Sequence, residues 1–151
     1  MRFFLKGAVL GAALLCSTAN AANIPAPLNL QPAVLSGFAS HHLGTNRDYN
    51  EGNHGIGYRF GSSGVMTGYY RNSVRRDSFY AAHESQWAVA DNFRVGLIAG
   101  AVTGYRYSVI PFVLPEAIAR VGTLELALTY APHVPGLVPA LVAVQARWNL
   151  D

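Results

Sequence analysis

Thr123-Leu124-Glu125-Leu126-Ala127-Leu128-Thr129-Tyr130 is the stretch on which the fold turns. Leu124, Leu126, Leu128 and Tyr130 share one face of an extended chain, and Thr123, Glu125, Ala127 and Thr129 share the other. The next run, Leu141–Leu150, repeats the pattern. Val142, Val144, Ala146, Trp148 and Leu150 oppose Ala143, Gln145, Arg147 and Asn149. Upstream, Gly55–Phe60 sets Ile56, Tyr58 and Phe60 against Gly55, Gly57 and Arg59. A period of two with one apolar and one mixed face marks strands buried on one side. Carried along the chain, it predicts eight strands: Val34–His41, Gly55–Phe60, Val65–Ser73, Phe79–Trp87, Phe93–Thr103, Ile110–Arg120, Thr123–Tyr130 and Leu141–Leu150.

Composition decides which face meets which solvent. The chain is 51% hydrophobic and only 13% charged, against roughly 25% charged residues in ordinary soluble domains. Aromatic residues gather near the run ends, as an interfacial girdle requires: Tyr58, Phe60, Tyr69, Tyr70, Trp87, Phe93, Tyr105, Tyr130 and Trp148. A spanning strand takes about 9–11 residues, so eight strands use most of such a chain. The expected fold is therefore all-β, an eight-stranded antiparallel up-and-down transmembrane barrel. The apolar faces are expected to point at lipid, and Arg59, Glu125, Gln145 and Arg147 into the lumen. A soluble secreted β-protein is the competing arrangement, with the same faces reversed.

The N-terminus reads as an export signal. Arg2 and Lys6 precede the apolar run Gly7–Leu15, and Ala19-Asn20-Ala21 offers a small-residue cleavage site. The expected division is residues 1–21 as signal peptide and 22–151 as barrel. Removing Arg2 and Lys6 lowers the formal charge from +3 to +1, which provides no basic patch for nucleic acid. The only cysteine, Cys16, leaves with the signal, so no disulfide framework or Cys nucleophile is expected. Ala22–Pro32 is Pro-rich and reads as an extended lead-in.

Strand parity assigns the loops to sides. The even connections, Gly61–Gly64, Ala88–Asn92 and Val121–Gly122, are short, as periplasmic turns are. The odd connections include the longer His42–His54 and Ala131–Ala140. Parity gathers His41, His42, Asp48, Asn50, Glu51, His54, Arg71, Asn72, Ser73, Arg75, Arg76, Asp77 and Ser78 at one rim, with Arg106 and His133. A histidine, a serine and an acid or amide at one mouth can perform acyl transfer with His as base. Clustered arginines there can hold phosphate oxygens. A solvated rim with no chemistry has the same composition.

Several segments, taken in order, resemble the lipid A palmitoyltransferase family of the Gram-negative outer membrane. They are Tyr49-Asn50-Glu51 with Gly55-Ile56-Gly57-Tyr58, then Gly68-Tyr69-Tyr70-Arg71-Asn72-Ser73, Glu84-Ser85-Gln86-Trp87 and Asn92–Thr103, and finally Ile110-Pro111-Phe112-Val113-Leu114-Pro115 and Leu128-Thr129-Tyr130-Ala131-Pro132. The resemblance implies transfer of an acyl chain from a phospholipid to lipid A at the outer rim. It places the family's serine on Ser73, its histidine on His41 or His42, and its aspartate on Asn72, a departure for which Asp77 or Asp48 would compensate. Arg71, Arg75, Arg76 and Asp77 are the candidate substrate-binding residues. Pro111, Pro115 or Pro132 would interrupt strand pairing to admit lipid, since proline cannot donate to a ladder. No metal or organic cofactor is implied. The expected partners are phospholipid, lipid A and the outer membrane around a monomer. A lipid hydrolase and a non-enzymatic barrel are the alternative functions.

Overall fold

The computed structural model describes residues 25–135 and 139–150. The expected signal peptide lies outside them. Eight strands alternate with short and long connections: β1 (Ala33–His42), β2 (Gly52–Arg59), β3 (Val65–Arg71), β4 (Asp77–Ala90), β5 (Phe93–Val102), β6 (Ile110–Val121), β7 (Leu124–Ala131) and β8 (Leu141–Asn149). Each pairs antiparallel with the next, and β8 returns to β1, so the sheet is a closed up-and-down barrel. Closure removes the free edges that an open sheet would expose to lipid.

The faces lie as the alternation requires for a transmembrane barrel. Leu126, Leu128, Val144 and Trp148 point outward and are exposed, while Glu125, Gln145 and Arg147 point inward and are buried. The inside-out distribution follows from the solvent: lipid accepts the Leu and Val surface, and the lumen must pair its charges. Leu126→Arg is accordingly expected to destabilise the barrel by about 2–4 kcal/mol if it sits near the bilayer midplane. Urea unfolding in lipid vesicles, followed by tryptophan fluorescence, measures this; no loss would mean that the outer face meets water.

Boundaries differ from the expected runs by a few residues. β2 starts at Gly52 rather than Gly55, because a bulge in β1 between Ser36 and Phe38 lets Asn53 stay paired with Phe38. β3 stops at Arg71 rather than Ser73, because Asn72 begins a turn closed by its own side chain. β4 is longer than expected and carries the β4–β5 hairpin past the end of β3. The lead-in covers this extension. The Leu28 amide donates to the Gln86 carbonyl, the Trp87 indole donates to the Pro25 carbonyl, and Leu30 is buried.

β6 is a full strand despite its prolines, but it is paired unequally. Its ladder with β5 runs unbroken from Ile110 to Ala119. Its ladder with β7 begins only at Glu116. Alternate residues of a strand present their backbone groups to opposite neighbours. Pro111 and Pro115 have the same parity, so with the β5 ladder intact both missing N–H groups fall on the β7 side. The barrel wall is therefore unzipped between β6 and β7 over Ile110–Pro115.

Candidate functional site

The lumen has two halves. Toward the short turns it is filled by a polar plug of three arginines and three glutamates. Arg59 donates to Glu84 (2.9 Å), Glu125 (3.1 Å), the Asn149 side chain (2.6 Å) and the Gln31 carbonyl of the lead-in (3.0 Å). Arg147 donates to Glu84, Glu116 (2.6 Å) and the Gln145 side-chain oxygen Oε1 (2.9 Å). Arg94 reaches Gln86 (3.0 Å) and Glu125 (3.3 Å). The charges balance and the plug blocks the lumen, so the barrel is not an open channel. Eight strands leave an interior just wide enough for side chains to fill.

Toward the long loops the lumen is hollow. A cavity of about 220 Å³ is walled by Phe38, Met66, Ile98, Val102, Phe112 and Leu114, with plug residues Glu116, Thr129 and Gln145 at its floor. Glycines shape one wall. Gly57 pairs with Gly68, and a Cβ on Gly68 would come within 2.6 Å of the Tyr80 ring that lies across it. Pro111, Val113, Ala131 and Pro132 also border the cavity. Pro111 and Val113 belong to the outward parity of β6, and Val113 is 60% exposed. The cavity thus opens sideways through the unzipped β6–β7 wall.

The residues expected to carry chemistry part company at the rim. His41 and His42 alternate to opposite faces, as consecutive strand residues must. His41 points outward, 67% exposed, with its Nδ1 3.0 Å from Glu51. His42 points inward, is buried, and stacks on Tyr49 with ring centroids 4.1 Å apart. Its Nδ1 has no hydrogen-bond partner among the described residues. Ser73 borders the cavity, and its carbonyl accepts from the Asn50 amide (2.9 Å).

Asn72 is occupied elsewhere. Its side-chain NH2 donates to Ser78 Oγ and the Gly104 carbonyl, both at 2.9 Å. Its Oδ1 accepts from the amides of Val74 (3.0 Å) and Arg76 (2.9 Å). An amide has two donors and two lone pairs, and all four are used: the oxygen closes the β3–β4 turn, and the NH2 ties that turn to β4 and to the β5–β6 loop. Ser78 Oγ already donates to the Thr103 carbonyl (2.6 Å), so it has no proton for a carboxylate at 72. Asn72→Asp is therefore expected to lose about 1–3 kcal/mol of stability, the cost of stranding buried polar groups. Comparing urea midpoints of the variant and the parent tests this; an equal or higher midpoint would refute it.

Asp48 and Asp77 are each held by an arginine rather than an imidazole. Arg75, at a φ of 60°, reaches Asp48 (2.8 Å). Arg71 and the Tyr69 hydroxyl bind Asp77 (2.8 and 3.0 Å). Of the three candidate substrate-binding arginines, only Arg76 has no acidic partner among the described residues; Arg106, in the β5–β6 loop, has none either. The Asn50 and Asn53 side chains close the β2–β3 side of the rim by donating to the Arg71 carbonyl (3.3 and 3.0 Å).

Tyr70 and Tyr105 were not among the residues expected at the site. Their hydroxyls meet 3.2 Å apart at the cavity wall, with Ser73 beside Tyr105. Burial pushes the Tyr105 phenol above its usual value, so it stays a proton donor. Both were visible as aromatic residues near run ends, and that signal served the girdle equally well.

Neither a family model nor a curated protein matches the chain. Among solved structures it is similar to the solution structure of the de novo designed TMB2.3, a designed transmembrane β-barrel, with a TM-score of 0.60 at 14% identity, covering 82% of this chain and 96% of that one. The chain has the fold of a transmembrane β-barrel. At that identity the likeness carries fold alone.

Proposed function

We propose that the protein is an outer-membrane acyltransferase that moves an acyl chain from a phospholipid to a hydroxyl of lipid A. The observation that carries the reading is the apolar cavity, floored by a charged plug and open sideways to the bilayer between β6 and β7. A soluble substrate has no need of a door in the lipid-facing wall; a membrane lipid does. An acyl chain entering there replaces apolar contacts in lipid with apolar contacts in the cavity. The plug stops it, because a methyl terminus has nothing to offer Glu116 or Arg147.

His42, inward-facing at the loop end of β1, takes the proton of the acceptor hydroxyl as that oxygen attacks the ester carbonyl. Lysophospholipid leaves after recovering the proton. Arg76, with its guanidinium not committed to an acid, binds phosphate of the incoming lipid. His41 belongs to the outer surface with Glu51, and Asn72 holds the loops that frame the mouth. The export signal expected from residues 1–21, together with the barrel fold, supports placement in the outer membrane.

Mass spectrometry of lipid A from cells with and without the protein tests this. An added acyl chain in the presence of the protein is the expected result. Free fatty acid with unchanged lipid A would make the barrel a hydrolase. No change in either pool would leave a non-enzymatic barrel.

A further inference from the structure

Two part-buried phenol hydroxyls meet at the cavity wall, at the end nearer the long loops. Tyr70 Oη and Tyr105 Oη are 3.2 Å apart. Each phenol carries a single O–H. One proton closes the bond between the two oxygens, and the hydroxyls of Ser78 and Ser73 lie beside Tyr70 and Tyr105 respectively, so the pair belongs to a short chain of hydroxyls along the cavity wall. Both rings border the cavity, and Tyr70 is fixed edge-on against Phe38, with ring centroids 5.1 Å apart. Tyr105 comes from the β5–β6 loop, which Asn72 and Ser78 pin to β3 and β4. The pair is thus partly shielded from water and supported from three strands and a loop.

A chain lying in this cavity has its methyl end toward Met66 and Ile98 and its polar end toward the loops. The polar groups there include Ser73 and the two phenols. A hydrogen bond donated from a neutral phenol, itself polarised by accepting from a second phenol, is suited to an oxygen that gains negative charge.

We propose that the Tyr70–Tyr105 pair binds the carbonyl oxygen of an acyl ester whose chain fills the cavity, and holds that oxygen as an oxyanion when the ester is attacked. The assignment rests on the acyl-transfer reading above. As the acceptor oxygen bonds to the carbonyl carbon, its proton passes to His42 and the C=O electron pair moves onto oxygen. The phenol stabilises that charge without giving up its proton. When the C=O re-forms, the bond to the glycerol oxygen breaks, and that oxygen recovers the proton from His42.

The test uses the full-length barrel in detergent micelles and two amphiphiles of equal chain length. One is an alkylphosphonate monoester, tetrahedral and anionic like the attacked ester; the other is an alkyl maltoside. Lumen occupancy is read by nuclear Overhauser contacts from the chain to the Met66 and Ile98 methyls. The parent should bind the phosphonate at least about 10-fold more tightly, as analogues of a stabilised transition state do. Tyr70→Phe with Tyr105→Phe keeps both rings and removes both hydroxyls. It should abolish that preference and leave the maltoside affinity unchanged. In a barrel that acylates, it should lower kcat by about 10²–10³-fold with little change in KM. A preference that survives the double change overturns the inference while leaving the acyl cavity in place. Absence of either amphiphile from the lumen overturns both. If the double variant does not fold, each single Phe variant must still weaken the preference, and an unchanged preference in both refutes the pair.

Discussion

Arg147→Leu is expected to destabilise the barrel by about 3–5 kcal/mol, the cost of removing one partner from a buried ion pair. Arg147 sits between Glu84 and Glu116, is 1% exposed, and also binds the Gln145 side chain. Leucine fits a lumen position by volume. It leaves two carboxylates facing each other in a space from which water is largely excluded. The cost should fall when the charge is removed on both sides, because the desolvation of unpaired glutamate is the larger part of it. Combining Arg147→Leu with Glu116→Gln should recover part of the loss. Chemical unfolding in lipid vesicles measures both; a single change that costs under 1 kcal/mol would mean that the plug is hydrated and adaptable.

On the acyl-transfer reading, His42→Ala should lower the rate by about 10²–10⁴-fold, the contribution of a positioned general base. His41→Ala should leave it nearly unchanged. The two residues are adjacent, and the prediction separates them because β1 sends them to opposite sides of its wall. His41 spends its imidazole on Glu51 at an exposed site, where an ion pair is worth little. His42 is the inward-facing imidazole at the loop end of β1. Its Nδ1 lacks a carboxylate to orient the ring, and stacking on Tyr49 takes over that task. Tyr49→Ala should therefore reduce activity with the His42 variant silent to it. Equal loss in His41→Ala and His42→Ala would show that neither face is privileged.

The barrel was legible because each strand states its own faces. Leu126 and Glu125 differ by one position and by the solvent each can tolerate, and that contrast recurs in Val144 and Gln145. The closure of β8 on β1 was not written in any run; it follows from strand number and length. The plug was legible only as charge on inward faces. Which glutamate Arg59 meets depends on registers across the barrel, and Arg59 and Glu125 lie on strands that are not neighbours. The prolines of β6 were visible as a fault in pairing. Which neighbour loses its ladder depends on parity relative to β5, and that needs a register. Asn72 reads as a catalytic position by its place before Ser73. Its Oδ1 bonds to the Val74 and Arg76 amides are local turn contacts, but the bond from its NH2 to the Gly104 carbonyl is set by tertiary packing and by nothing near it in the sequence. Glu51 was placed at the rim, but its choice of His41 over His42 waits on which way β1 alternates.

The most direct test of the account is whether acyl chains enter the lumen. The protein, deuterated except at its methyl groups, is placed in bicelles of protonated phospholipid, and nuclear Overhauser contacts to the acyl chain are recorded. Outward methyls such as those of Leu126 and Leu128 report lipid in either case. The account predicts additional chain contacts to the Met66, Ile98 and Leu114 methyls inside the barrel, lost when the β6–β7 opening is closed by a cross-link. Contacts confined to the outward methyls would contradict it.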